Sequence, residues 1–188
     1  MKKYLLILLS QAVFSQVAEN QNNIIYAKEY SKEISLYKAK SYVINDLLAG
    51  SEKVVKFEID PLAATASGEL TSLVYNCEEL KKEGLILGFY GDYWNASGVV
   101  YQGYGFKNLP KEKALELLQK IEDAKTNFNK YLSDDSDNNN IYFTYDDLTF
   151  LIYKSSETRI RVFWKTFDAE WQDLAFKRTK RRFEKKIK

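Results

Sequence analysis

The chain contains no histidine. That removes Ser-His-Asp and Cys-His nucleophilic machinery and the usual imidazole-bearing zinc sites. A Gly-x-Ser-x-Gly elbow, a phosphate-cradling glycine loop ahead of a helix and a Cys-x-x-Cys pair are also missing. Cysteine is nearly absent as well. Cys77 is the single one, so no internal disulfide framework exists even in an oxidising compartment. It lies in the strand-like run Leu73-Val74-Tyr75-Asn76-Cys77, where a buried inert thiol is the plain expectation and an intermolecular bridge or reactive thiol the alternative. Carboxylate-pair hydrolysis survives these exclusions, because a glycosidase needs only two acids at suitable separation. Asp92, beside Tyr93 and Trp94, is the one candidate acid, with an ordinary strand-end aspartate as the competing reading.

What is present begins with a leader. Met1-Lys2-Lys3 precedes an apolar run from Tyr4 to Phe14 centred on Leu5-Leu6-Ile7-Leu8-Leu9. A positive start, a short apolar stretch and small residues at a cut site make a signal peptide. The run is shorter than the roughly 20 apolar residues that a spanning helix needs. Val13 and Ser15 suit the positions flanking a cut after Ser15, with Ala18 as the alternative. This leader resembles bacterial export signals, which implies a periplasmic or secreted protein. No cysteine follows it, so a lipid anchor is not implied. Residues 16–188 then form one domain by length. The whole chain carries 28 Lys and Arg against 26 Asp and Glu, and removing Lys2 and Lys3 brings the two into balance. A near-neutral chain speaks against a general nucleic-acid or membrane binder, and the mature chain holds no candidate transmembrane segment.

Periodicity predicts helix, four strands, helix, three strands, helix. Tyr26, Tyr30, Ile34 and Tyr37 recur at helical spacing, as do Val43, Leu47 and Leu48, with Gly50 placed as a C-cap. Strands are expected at 54–59, ended or bent by Pro61, and at 69–76. Residues 85–94 and 99–106 read as a long hairpin whose glycines at 88, 91, 103 and 105 mark bulges or close backbone approach. Pro110 opens a helix in which Ala114, Leu117, Leu118, Ile121, Ala124, Phe128 and Leu132 share one face. Strands follow at 141–145, 148–153 and 159–164, and a terminal helix runs from Phe167. Strands in succession joined by short turns imply an α+β fold, an antiparallel sheet of six to seven strands with helices packed on one face.

Three constellations are candidates for function. In Asp135-Ser136-Asp137-Asn138-Asn139-Asn140-Ile141, Asp135, Asp137 and Asn139 occupy positions 1, 3 and 5, Ile141 offers a carbonyl at 7, and Asp146 falls at 12. Calcium loops use that spacing to gather oxygens around a hard cation. The segment resembles an EF-hand-type loop over twelve residues. It departs at Asn140, where the loop has glycine, and at Asp146, where it has the longer glutamate. A solvated connector is the alternative. Second, Trp171 to Lys188 holds eight Lys and Arg against two acids. Phe167, Trp171 and Leu174 share the face expected to dock, and Arg178, Arg181, Arg182 and Lys185 continue it as a cationic ridge. Such a ridge suits an anionic lipid, an anionic glycan or an acidic protein, or it stabilises the C-terminal end of its own helix. Third, Trp94 at the hairpin tip, with Tyr90, Tyr93, Tyr101 and Tyr104 along the arms, has the rigid, polar-edged chemistry of a recognition surface.

Together these readings favour an exported, non-catalytic binding module. A carboxylate-dependent glycan hydrolase and a calcium-stabilised structural envelope protein are the alternatives. The leader reading predicts that exported protein begins at Gln16. Intact-mass measurement of protein from the envelope or medium checks it, and an uncut Met1 or Lys2 terminus would refute it.

Overall fold

The computed structural model describes residues 24–26, 32–49, 52–94, 97–136 and 138–187. Nine strands and four helices make a mixed α+β fold among them. Strand β1 (Ile24–Tyr26) is followed by helix α1 (Lys32–Tyr42), which continues as a π-helical turn over Val43–Leu47. Strands β2 (Glu58–Ala64), β3 (Leu70–Cys77), β4 (Lys82–Trp94) and β5 (Val100–Pro110) lead to α2 (Lys111–Asn127) and α3 (Asn129–Asp134). Strands β6 (Asn140–Tyr145), β7 (Leu148–Lys154), β8 (Thr158–Trp164) and β9 (Phe167–Glu170) precede α4 (Asp173–Lys186).

The single sheet expected from sequence is two sheets. One has five strands in the order β1-β5-β4-β3-β2, and the other is the four-strand meander β6-β7-β8-β9. All pairings are antiparallel. Helices α2 and α3 intervene between β5 and β6. Strand β5 already pairs with β1 and β4 on its two sides, and β6 starts a new ladder with β7. Both sheets nevertheless turn apolar residues into one core. Leu70, Val74, Leu85, Leu87 and Phe89 of the first sheet join Phe150, Ile152, Ile160, Val162 and Trp164 of the second. Leu117 and Ile121 of α2, with Phe176 and Phe183 of α4, enter the same core. Alternation along each strand decides this, since successive side chains point to opposite faces.

The helices do not all lie on one face. Leu73, Tyr75, Cys77, Ile86, Tyr104 and Phe106 belong to the other face of the first sheet and form a second core with Ala39, Val43 and Leu48. Helix α1 therefore covers the face opposite α2 and α4. Runs such as Leu73-Val74-Tyr75 are apolar on both faces because both faces are covered. Cys77 is fully buried in that second core.

Several boundaries differ from the sequence reading for physical reasons. Pro61 does not end the strand but marks an irregularity in it, the bending alternative. It lies within β2, and the register with β3 shifts between Pro61 and Ala63. An edge strand tolerates a residue without an N–H. Pro110 ends β5 and caps α2 from outside, with φ −52° and ψ 155°. The long helix breaks at Phe128, whose φ of −105° separates α2 from α3. Phe167 is in a strand, not a helix. Lys165, at φ 55°, turns the chain so that Phe167 pairs with Trp164, and Arg161–Asp168 and Arg159–Glu170 ion pairs tie the two strands. Gly50 lies outside the described residues.

The glycine-rich hairpin contains no bulge. Its register runs unbroken from Gly84 opposite Pro110 to Trp94 opposite Val100. The close-approach alternative holds at Gly105, where a β-carbon would stand 2.9 Å from Trp164 Cζ3 and 3.2 Å from Phe167 Cε2. The two rings lie almost on the β5 backbone beside Phe89, whose centroid is 5.1 Å from that of Trp164. At Gly91 the nearest atom to a β-carbon is 4.0 Å away. Gly105→Val is therefore expected to destabilise by about 1–3 kcal/mol or more through overpacking, and Gly91→Ala to cost under about 1 kcal/mol. Urea unfolding of both variants checks this, and equal midpoints would refute it.

Candidate functional site

Helix α4 carries the cationic candidates, and its amphipathicity runs along its whole length. Ala175, Phe176, Thr179, Phe183 and Ile187 are buried at spacings of three and four that make one stripe. The docking face inferred from the helical wheel is thus corrected. Trp171 is buried, but it precedes the helix, and Leu174 is 59% exposed. The wheel misplaced Leu174 because it extended a helix back through Phe167 and Trp171, where the chain is β-strand and connector.

Specific polar contacts hold the helix along β2 and β3. Gln172 Oε1 accepts from the Ala66 N–H at 3.0 Å. The Ser72 and Thr179 hydroxyls lie 2.6 Å apart and buried, one donating to the other, with the Ala63 and Ala175 carbonyls in reach of the remaining proton. Asp173 in the first turn meets Lys125 and Lys177, each at 2.6 Å. Burial alone would raise its carboxyl, but these two ammonium groups outweigh it and hold Asp173 below the usual range. Lys186 pairs with Asp60 near the other end, so α4 runs antiparallel to β2.

The four proposed ridge cations separate into two sets. Arg178, Arg181 and Lys185 are exposed, and with Leu174 they fall at i, i+4, i+7 and i+11, a single outward row. Among the described residues none of the three makes an ion pair or a side-chain hydrogen bond. Arg182 turns the other way and donates from a guanidinium nitrogen to the Leu62 carbonyl of β2. There it borders an open cleft of about 620 Å³ at the edge of the first sheet, between α1 and α4. The helical step of about 100° per residue swings Arg182 from the outward row toward β2. The nearby β2 carbonyl holds it there.

The acidic loop is extended by strand β6. Asp135 accepts hydrogen bonds from Asn138 Nδ2 at 3.0 and 3.1 Å, and Asn139 Nδ2 donates to the Tyr131 carbonyl at 2.7 Å. Ile141 is in β6, opposite Ile152. Asp146 stands beyond the far end of that strand, at φ 56° in a two-residue turn, about 20 Å along an extended chain from the start of the strand. The structure thus does not bring Asp135, Asn139 and Asp146 together, and Asp137 lies outside the described residues. Asp146 instead meets Lys107 at 2.6 Å and Lys113 at 3.4 Å. Asp147 pairs with Lys107 and accepts the Trp164 indole N–H at 2.8 Å. The Lys107 hydrogen bond holds Asp146 below the usual carboxylate range. For Asp147, burial would raise the carboxyl, but Lys107 and the Trp164 N–H hold it down. These groups clamp the β6–β7 turn to β5 and α2, a linkage that sequence reasoning missed because Lys107 and Asp146 are far apart along the chain.

Trp94 ends β4 opposite Val100, and its side chain, with those of Tyr93 and Tyr101, lies outside the described residues. Tyr104 is buried and meets Phe106 edge-on at 5.9 Å, so this arm residue belongs to the core under α1. Tyr90 donates its hydroxyl to Gln102 Oε1 at 2.9 Å. Asp92 is exposed, and the residue opposite it is Gln102, not a second acid. No described helix is long and apolar enough to cross a membrane. The chain matches no family model, no curated protein and no solved structure.

Burial separates the roles of two apolar residues that the wheel had joined. Trp171→Ala is expected to cost about 3–5 kcal/mol, because the ring is 1% exposed and packs edge-on to Phe176 at 5.4 Å. Leu174→Ala is expected to stay within about 0.5 kcal/mol, as exposed positions do. Thermal or urea unfolding of the two variants measures the difference, and comparable losses would place both residues in the core.

Proposed function

We propose that this protein is an exported, non-catalytic binding module of the cell envelope or surrounding medium that meets an anionic partner surface through α4. Export rests on the leader, Met1 to Ser15. The observation that carries the binding reading is the outward row Leu174, Arg178, Arg181 and Lys185 on a helix whose opposite stripe is committed to the core. A row of cations carried on one side of a packed helix attracts a surface of many negative charges with little further ordering of the backbone. Of the anionic partners that such a row suits, a lipid surface is favoured. Leu174, apolar and 59% exposed at the head of the row, has a place to insert among acyl chains that it lacks against a glycan.

Each Lys or Arg near an anionic bilayer contributes about 1 kcal/mol. Replacing Arg178, Arg181 and Lys185 by Gln together is therefore expected to weaken binding to phosphatidylglycerol-containing vesicles by about two orders of magnitude. Folding should be retained, since the three side chains are exposed. Arg182 is left intact because of its bond to β2. Binding of wild type should fade as salt rises, since exposed charges are screened within about 8–10 Å near physiological ionic strength. Vesicle co-sedimentation with and without the anionic lipid, at low and high salt, measures this. Equal binding of wild type and variant would reject the α4 surface, and retention on an acidic polysaccharide without vesicle binding would reassign the partner to glycan.

A further inference from the structure

The cleft beside Arg182 has a chemistry distinct from the outward row. Its walls are Leu36 and Tyr37 of α1, Leu62 and Ala64 of β2 and Leu73 of β3, and among the described residues Arg182 is the one charged residue lining it. About 620 Å³ falls within the roughly 300–1,000 Å³ usual for small-molecule sites, which are mostly apolar with a few placed polar groups. Arg182 spends one donor on the Leu62 carbonyl, and no described carboxylate lies within ion-pair reach of it. A guanidinium presents five N–H donors in a planar fork matched to a carboxylate, so donors remain for a ligand.

The surroundings do not neutralise that charge. Asp60, the acid next along β2, is paired with Lys186, and with Glu58 it lines an adjoining hollow that also holds Lys40. Lys40 Nζ stands 5.3 Å from the centre of the Tyr37 ring, on the α1 wall. The potential at the cleft mouth therefore favours an anion.

The occupant is also constrained by the strand at the cleft's edge. β2 borders the first sheet, where an added strand could pair in principle. Pro61 offers no N–H, the register shifts between Pro61 and Ala63, and Arg182 occupies the Leu62 carbonyl. Those are devices that blunt strand addition. A flexible chain that needs no backbone ladder is the better fit. We infer that the cleft binds a hydrocarbon-chain carboxylate, its head on Arg182 and its tail along Leu36, Tyr37 and Leu73.

Titration calorimetry of the purified protein with laurate, kept below its micelle concentration, tests this against the matched twelve-carbon alcohol and amine. Saturable one-to-one laurate binding is expected, at least about tenfold tighter than for the alcohol, since a charge-assisted hydrogen bond contributes on that scale. Arg182→Gln should abolish that preference while leaving alcohol binding unchanged. Ala64→Trp, which fills the cleft from an exposed strand position, should weaken both ligands and supplies an independent readout if Arg182→Gln unfolds. The Arg178, Arg181 and Lys185 triple variant should bind laurate normally, so failure of the vesicle experiment and failure of this one are distinguishable. Equal binding of laurate and alcohol, unaltered laurate affinity in both cleft variants, or binding only of a hydrophobic peptide with a free C-terminus would overturn the inference.

Discussion

Trp164 rests on the backbone of β5 where Gly105 has no side chain, and the two sheets share a core because of that contact. A β-carbon at residue 105 would come within 2.9 Å of the indole, which would force the second sheet away from the first. With the space left open, Trp164 and Phe167 stack with centroids 6.1 Å apart beside Phe89. The indole N–H then reaches Asp147, and Asp147 reaches Lys107 on β5. One close approach thus sets the spacing of the sheets, and one short polar chain sets their orientation. Close-packed protein interiors transmit a misplaced methyl group across several neighbours.

The final helix depends on that shared core. Phe176 and Phe183 are buried in the joint core, and the buried Ser72–Thr179 pair fixes how far α4 slides along β3. Once the stripe is committed, each remaining side chain on α4 has its direction decided. Arg178, Arg181 and Lys185 face outward, whereas Arg182 and Lys186 reach β2. A single basic segment therefore offers two chemistries. One is a screened, exposed row suited to an extended anionic surface. The other is a guanidinium at the side of an apolar cleft, held in one direction by its bond to the Leu62 carbonyl. Adjacent positions in sequence serve different ends because a helix turns by about 100°, a little over a quarter of a revolution, at each step.

Much of the local structure was legible in the residues. The hairpin of β4 and β5, the strands β6 to β8 and the amphipathic α2 follow from alternation and from apolar spacing that no neighbour alters. The basic character of the last helix was also visible as composition. Its docking face was not, because a wheel drawn back through Phe167 and Trp171 assumed helix where Lys165 turns the chain into β9. The twelve-residue resemblance in the acidic loop had the right residue types, but Asn140 to Tyr145 pair with β7 as an extended strand. Extension places Asp146 against Lys107 instead of near Asp135.

By itself the sequence determined the type of most central elements, the α+β class, the absence of histidine- and disulfide-based chemistry and the presence of a cationic C-terminal segment. These depend on composition and on periods of two and 3.6 residues, which are properties of a segment alone. Only the tertiary structure decided that the strands divide into two sheets, that α1 covers the face opposite α2 and α4, and that Arg182 leaves its neighbours to border a cleft. Those outcomes depend on which surfaces meet across long stretches of chain. Ser72 and Thr179, or Lys107 and Asp147, become partners only after apolar faces have found one another, and no local pattern encodes that meeting.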